Sequence, residues 1–227
     1  MNPTQKSIFI SRHLKSDSPF KQLINDVGFT ITAEPLIKIT QIRYSYTPQT
    51  KWIFFTSKNA MDHFFSQDPD LQPDVKYAVI SETSAEHLLS FGKTATFTGE
   101  GVDLINIGKA FSEVLRDESV LFPQAIDSYQ TIQKQLGFIN GCFNLYVYKT
   151  NIKTDFTIPY SDILIFTSPS NVEAYFNKYK FDPRQSIIAM GASTRFKLKE
   201  YGISNAVSPK SFNEKGLLDA LAENNFI

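Results

Sequence analysis

Four stretches place hydroxyl side chains where an apolar run ends and a helical pattern begins: Thr56-Ser57, Thr83-Ser84, Ser168-Pro169-Ser170 and Ser193-Thr194. A serine or threonine at such a junction can cap the helix, and Pro169 is preset for the first helical turn. The same junction offers unpaired backbone N–H groups and a partial positive charge, which suit a carboxylate or phosphate. Capping alone explains any one of them. Four together, each following a strand, leave capping and ligand binding both open, since strand ends are where open α/β sheets bind ligands. Arg12 follows the first apolar run and could meet an anion or sit in a solvated loop. Tyr148 stands near the end of the strand-like Leu145–Thr150. Alternation puts Tyr146 and Tyr148 on one face and Leu145 and Val147 on the other. A phenol there could face a cleft and donate a proton or hydrogen bond, or could simply pack at a hinge.

Other chemistry is missing. The three histidines, His13, His63 and His87, are scattered, and neither HExxH nor CxxC occurs. Gly99-Glu100-Gly101 has no GxGxxG around it, and GxSxG and GxxxxGK[ST] are also absent. The single cysteine, Cys142, cannot form an internal disulfide. A reaction on this chain must therefore rest on binding and orientation. Lys and Arg number 23, as do Asp and Glu, so bulk charge favours neither nucleic acid nor an anionic membrane. Charge for an anionic ligand has to be placed locally. No run approaches the roughly 18 apolar residues of a membrane span, and no signal-like segment precedes Ile8-Phe9-Ile10. The expectation is a reduced, soluble, cytoplasmic protein.

The elements that must hold these residues recur. Phe55-Thr56-Ser57 reappears as Phe166-Thr167-Ser168, and the following apolar positions match: Met61 with Val172, Phe64 with Tyr175, Phe65 with Phe176. The offset, about 110 residues, also relates Ile80–Ser84 to Met190–Thr194, Gly92 to Gly202, and Val27-Gly28-Phe29 to Leu136-Gly137-Phe138. A period of half the chain implies duplication of a domain-sized unit, not a solenoid. In each half short strands alternate with amphipathic helices. Continuous apolar runs such as Trp52–Phe55, Ile163–Phe166 and Ile187–Met190 read as parallel strands covered on both faces. The pattern predicts two doubly wound parallel-sheet α/β domains. Two polar, β-prone segments, ~38–50 and ~149–159, interrupt it at matching places. They are candidate crossings between domains, each domain taking chain from both halves.

Ile8-Phe9-Ile10-Ser11-Arg12, Glu34–Ile39, Ile53–Ala60, Val147-Tyr148-Lys149-Thr150, Ile165–Ser170 and Met190–Thr194 occur in an order and spacing that resembles the uroporphyrinogen-III synthase family across nearly the whole chain. Two places depart from the family pattern: Ser81 stands where a glycine is usual, and Pro123-Gln124-Ala125 where Pro-Arg-Gly is usual. The resemblance implies two α/β domains joined by a two-stranded β-linker, with the active cleft between them. On this sequence it implies a discontinuous domain of residues 1–37 and 155–227, linkers at 38–44 and 148–154, and a second domain at 45–147. It further implies hydroxymethylbilane as substrate, no metal or cofactor, and cyclisation to uroporphyrinogen III with loss of water and inversion of ring D.

Tyr148 matches the family's candidate for assisting departure of the hydroxyl. The expected carboxylate binders are Arg12, Thr56, Ser57, Lys58, Thr83, Ser84, Ser168, Ser170, Ser193 and Thr194. A monomer is expected, with no nucleic-acid or membrane partner. A non-catalytic two-lobed sensor of a small anion, or an interaction module keeping only the fold, stands as the alternative.

Overall fold

Strands Trp52–Phe55 and Ile163–Phe166 are buried at every position. A strand that is apolar on both faces needs cover on both, and parallel sheets flanked by helices supply it. A computed structural model describes residues 6–101, 103–137 and 141–227. Phe138, matched to Phe29 in the sequence, and the first five residues of the expected first domain lie outside them. The elements in order are β1 (Ser7–Ile10), α1 (Pro19–Asp26), β2 (Thr30–Ala33), β3 (Ile37–Gln41), β4 (Trp52–Phe55), α2 (Lys58–Phe65), β5 (Lys76–Val79), α3 (Glu82–Leu89), β6 (Ala95–Thr98) and α4 (Leu104–Leu115). There follow β7 (Val120–Ala125), β8 (Cys142–Ile152), β9 (Ile163–Phe166), α5 (Pro169–Phe176), β10 (Ser186–Ala189), α6 (Ala192–Glu200) and α7 (Glu214–Glu223).

The chain forms two compact units, one of residues 1–38 and 151–227, the other of residues 39–150. In the first, four strands run parallel in the order β10-β9-β1-β2. Ile8, Ile10, Ile163 and Ile165 point to one face, against Phe20 and Ile24 of α1 and Leu217 and Leu221 of α7. Their neighbours Phe9, Leu164 and Phe166 point to the other, against Val172 and Tyr175 of α5 and Leu198 of α6. This is the period-two alternation of a strand with both faces covered.

In the second unit the order is β3-β8-β7-β4-β5-β6, with β8 through β6 parallel. Ile53, Phe55 and Leu121 face Met61 and Phe64 of α2. Trp52, Phe54 and Phe122 face Ile107 and Phe111 of α4. The Phe54 and Phe111 rings meet edge to face at 4.7 Å, a favoured aromatic geometry. At the margin β3 runs against β8, with Ile42 N–H donating to Val147 O and Lys153 N–H to Leu36 O. Helices α1, α2, α4, α5 and α7 begin on side-chain caps: Ser18, Ser57, Asp103, Ser168 and Asn213 each accept a backbone N–H. No helix among the described residues is long and apolar enough to cross a membrane.

Both units bury tyrosines. Burial raises the phenol pKa of Tyr77, Tyr148 and Tyr175, and pushes that of Tyr44 up to about 12. The folded chain then holds these protons more tightly than the unfolded chain, whose phenols titrate near 10. Stability is therefore unaffected by them below pH 10 and falls as pH rises from there toward about 12. Urea midpoints measured across that window should drop before the bulk of native phenolate absorbance appears.

Candidate active site

The second unit brings two of the predicted residues together. Ser57 lies in extended conformation after β4 and caps α2 by accepting the Ala60 N–H at 3.1 Å. Its Oγ also lies 3.2 Å from the phenol oxygen of Tyr148, in hydrogen-bond contact. Because a lone pair of Ser57 is used by Ala60, its proton is free to go to the Tyr148 oxygen. The phenol proton is then left for another acceptor. Burial holds the Tyr148 pKa above the ordinary phenol value, the Ser57 contact works against that shift, and nearby Asp127 adds to it. A phenol so placed is fully protonated at neutral pH, and so is poised as a donor and not as a base.

The face on which Tyr148 sits differs from the sequence expectation. Gln124 pairs with Tyr146, but Ala125 pairs with Tyr148, so one residue of β8 is skipped. This bulge turns Tyr148 toward the core side beside Val147, both joining the cluster around Phe64 and Leu121. Tyr146 stays 39% exposed while Tyr148 is 7% exposed. Bulges of this kind re-aim side chains near functional sites.

The remaining residues of this unit follow the strand ends. Thr56 is half-buried after β4, and Lys58 is exposed in the first turn of α2. At the start of α3, Ser81 Oγ contacts both Thr83 Oγ1 and Ser84 Oγ at 3.1 Å. Ser84 is buried, so its hydroxyl faces inward. The adjacent hollow, about 330 Å³, is lined by Ser81, Thr98, Gly99 and Gly101 together with Glu82 and Glu100. Two carboxylates there oppose an anion, so any anion at α3 has to use its backbone N–H groups. Ser81, at φ −165°, is extended backbone open to any residue.

In the first unit β1 and β9 end together. Thr167 N–H donates to Ser11 Oγ at 2.9 Å, and Thr167 Oγ1 donates to Ser11 O at 3.0 Å. Ser168 caps α5 through the Asn171 N–H, and Ser170 is half-buried in the first turn. Arg12 lies 3.6 Å from Glu214. Desolvation lowers its pKa and Glu214 partly restores it; a guanidinium stays charged regardless. Its Nε and Nη2 are buried without a hydrogen-bond partner, Nη2 being the atom that faces Glu214. At α6, Gly191 holds φ at +109°, a conformation that disfavours side chains. Ser193 is exposed, whereas Thr194 is buried and donates to Met190 O. Among the described residues no group of three or more His, Cys, Asp or Glu is placed to hold a metal ion.

Two contributors escaped sequence reasoning. Asn171, buried, accepts the Leu36 N–H and donates to Ser168 Oγ, each at 2.8 Å. It stands three residues after the serine cap, in the first helical turn, where its side-chain amide reaches back to the cap oxygen. His63 lies with its ring against Tyr148, at 5.6 Å between centroids. Nothing in helical spacing reveals that, because the partner comes from a distant strand.

A family model described as Uroporphyrinogen-III synthase HemD matches residues 18–224. In fold, the chain is similar to the crystal structure of uroporphyrinogen-III synthetase from Helicobacter pylori, with 20% identity, 97% of this chain and 100% of that chain covered, and a TM-score of 0.70. It is also similar to a mutant uroporphyrinogen III synthase from the extremely thermophilic bacterium Thermus thermophilus, with 15% identity, coverage of 96% and 99%, and a TM-score of 0.62. No curated protein matches it in sequence. The family match spans nearly the whole chain, and the α/β fold agrees with it: this chain belongs to the uroporphyrinogen-III synthase family.

Proposed function

We propose that the protein cyclises hydroxymethylbilane to uroporphyrinogen III, with Tyr148 as the proton donor to the departing hydroxyl. The observation that carries this role is the contact between Ser57, just past the end of β4, and Tyr148, at the bulge within β8. The serine proton stabilises the developing phenolate while the phenol proton leaves with water. The pyrrole nitrogen supplies the electrons, giving an azafulvene. The substituted carbon of the terminal pyrrole attacks it, the spirocyclic intermediate fragments, and reclosure inverts ring D. The proton lost when the last pyrrole regains aromaticity restores the phenol, so no net acid is consumed.

The substrate is a polycarboxylate. Its acids are met by Arg12, by Lys58, by the hydroxyls of Thr56, Ser168, Ser170 and Ser193, and by backbone N–H groups at the helix starts bearing Ser57, Thr83, Ser84 and Thr194. Distributed donors of this kind fix how a flexible chain folds, which is the main catalytic demand when the reactant carries its own reactivity. The protein acts in the cytoplasm as a monomer. Incubation with freshly prepared hydroxymethylbilane, followed by separation of the uroporphyrin isomers, tests the activity: isomer III should dominate, and a ratio equal to the enzyme-free blank excludes it.

The serine caps of α2 and α5 should differ. Ser57→Ala and Ser168→Ala should each cost about 1 kcal/mol of stability, the usual value of a lost cap. Only Ser57→Ala should lower kcat, by about tenfold, because only Ser57 touches Tyr148. Steady-state kinetics beside thermal denaturation separates the two effects.

A further inference from the structure

The helix α2 meets Tyr148 at two points, both within the unit of residues 39–150. Its cap, Ser57, lies 3.2 Å from the phenol oxygen. Six residues on, the imidazole of His63 lies against the phenol ring, with centroids 5.6 Å apart and planes inclined by 31°. His63 itself is half-buried. From these contacts, and resting on the reading of Tyr148 as proton donor, we infer that His63 is a positioning residue for the reaction: its ring fixes the orientation of the Tyr148 phenol.

The need for such a contact follows from the bulge. An aromatic side chain on regular strand is restrained by its cross-strand neighbours. Where Ala125 pairs with Tyr148 and Val147 is skipped, the neighbour on the β7 side is an alanine, which offers a methyl group alone. The ring is then held from α2. Phe64 of the same helix shares the cluster with Tyr148, but its ring pairs are with Tyr44, at 6.0 Å, and Phe55, at 5.6 Å. His63 is the α2 ring in contact with Tyr148. A tilted, near-parallel pair of planar rings restricts rotation of the phenol about its own axis and sideways tilt, while the Ser57 hydroxyl fixes the oxygen. A proton donor displaced by a fraction of an ångström loses much of its rate advantage, so a loosened ring lowers turnover without weakening substrate binding.

The test is a double-mutant cycle read as kcat and KM, with the uroporphyrin isomers resolved. His63→Ala should lower kcat about tenfold with KM unchanged, and His63→Phe, which keeps a planar ring, should retain kcat within about twofold of the parent. In the Tyr148→Phe background His63→Ala should change kcat by less than about twofold, because the group it positions has already lost its proton. Equal losses from His63→Ala in both backgrounds would overturn the inference. So would a His63→Phe variant as slow as His63→Ala while melting at the parental temperature. A parent protein producing no excess of isomer III would instead sink the underlying reading of the activity, and the positioning role with it.

Discussion

Tyr148→Phe should lower kcat by about 10²–10⁴-fold, the range over which a positioned general acid contributes, and should leave the fold almost unaltered. The ring stays in the cluster with Phe64 and Leu121 and keeps its contact with His63. What disappears is one oxygen, whose hydrogen-bond partner Ser57 is half-buried and within reach of water. The loss of stability should therefore stay near the ~1 kcal/mol of an ordinary hydrogen bond. KM should change little, since the role proposed for the phenol is at the leaving hydroxyl and not at the substrate's carboxylates. Stopped-time assays with thermal denaturation of both proteins check this. A variant with parental kcat would remove Tyr148 from the chemistry.

Asn171→Ala should have the largest effect on stability among the site-associated residues, about 2 kcal/mol. The Leu36 backbone N–H is buried and donates to Asn171 Oδ1. Alanine leaves that donor without a partner and also removes the bond to Ser168 Oγ. For a chain of this length such a loss corresponds to a fall of roughly 4–8 °C in Tm. The residue sits in the first turn of α5, beside Ser168 and Ser170, and its partner Leu36 immediately precedes β3. Its loss loosens both the helix start and the entry to that strand. Urea denaturation of the variant gives the number directly, and a change below about 0.5 kcal/mol would mean that Leu36 finds another acceptor.

The parallel α/β architecture was legible because its strands are apolar at consecutive positions. Trp52, Ile53, Phe54 and Phe55 admit no solvent-facing side, so helices on both faces were required. The cap positions Ser57 and Ser168 were legible for the same local reason, a hydroxyl between strand and helix. Ser81, read as a departure from the family's glycine, costs nothing where the backbone is extended, whereas Gly191 at φ +109° does need its missing side chain.

What escaped was set by distant partners. The face of Tyr148 depends on a skipped residue opposite β7, and alternation along β8 alone gives the wrong answer. Ser84 and Thr194, expected as carboxylate binders, are both turned inward by the helix register. Gln124, in the place of an expected arginine, is buried and accepts from Gln133 Nε2 at 2.8 Å. That contact depends on the short turn at Gln133–Gln135 folding back over the strand end.

The central claim is that the protein dictates how the bilane folds while the bilane supplies most of its own reactivity. It separates ring-D inversion from proton donation. The most direct measurement is the isomer ratio from Tyr148→Phe under single-turnover conditions, with enzyme in excess so that the substrate is bound before it can close unaided. The account predicts slow formation of isomer III at nearly the parental proportion. A slow reaction that yields isomer I in the proportion of the enzyme-free blank would contradict it, because geometry and proton donation would then reside in the same hydroxyl.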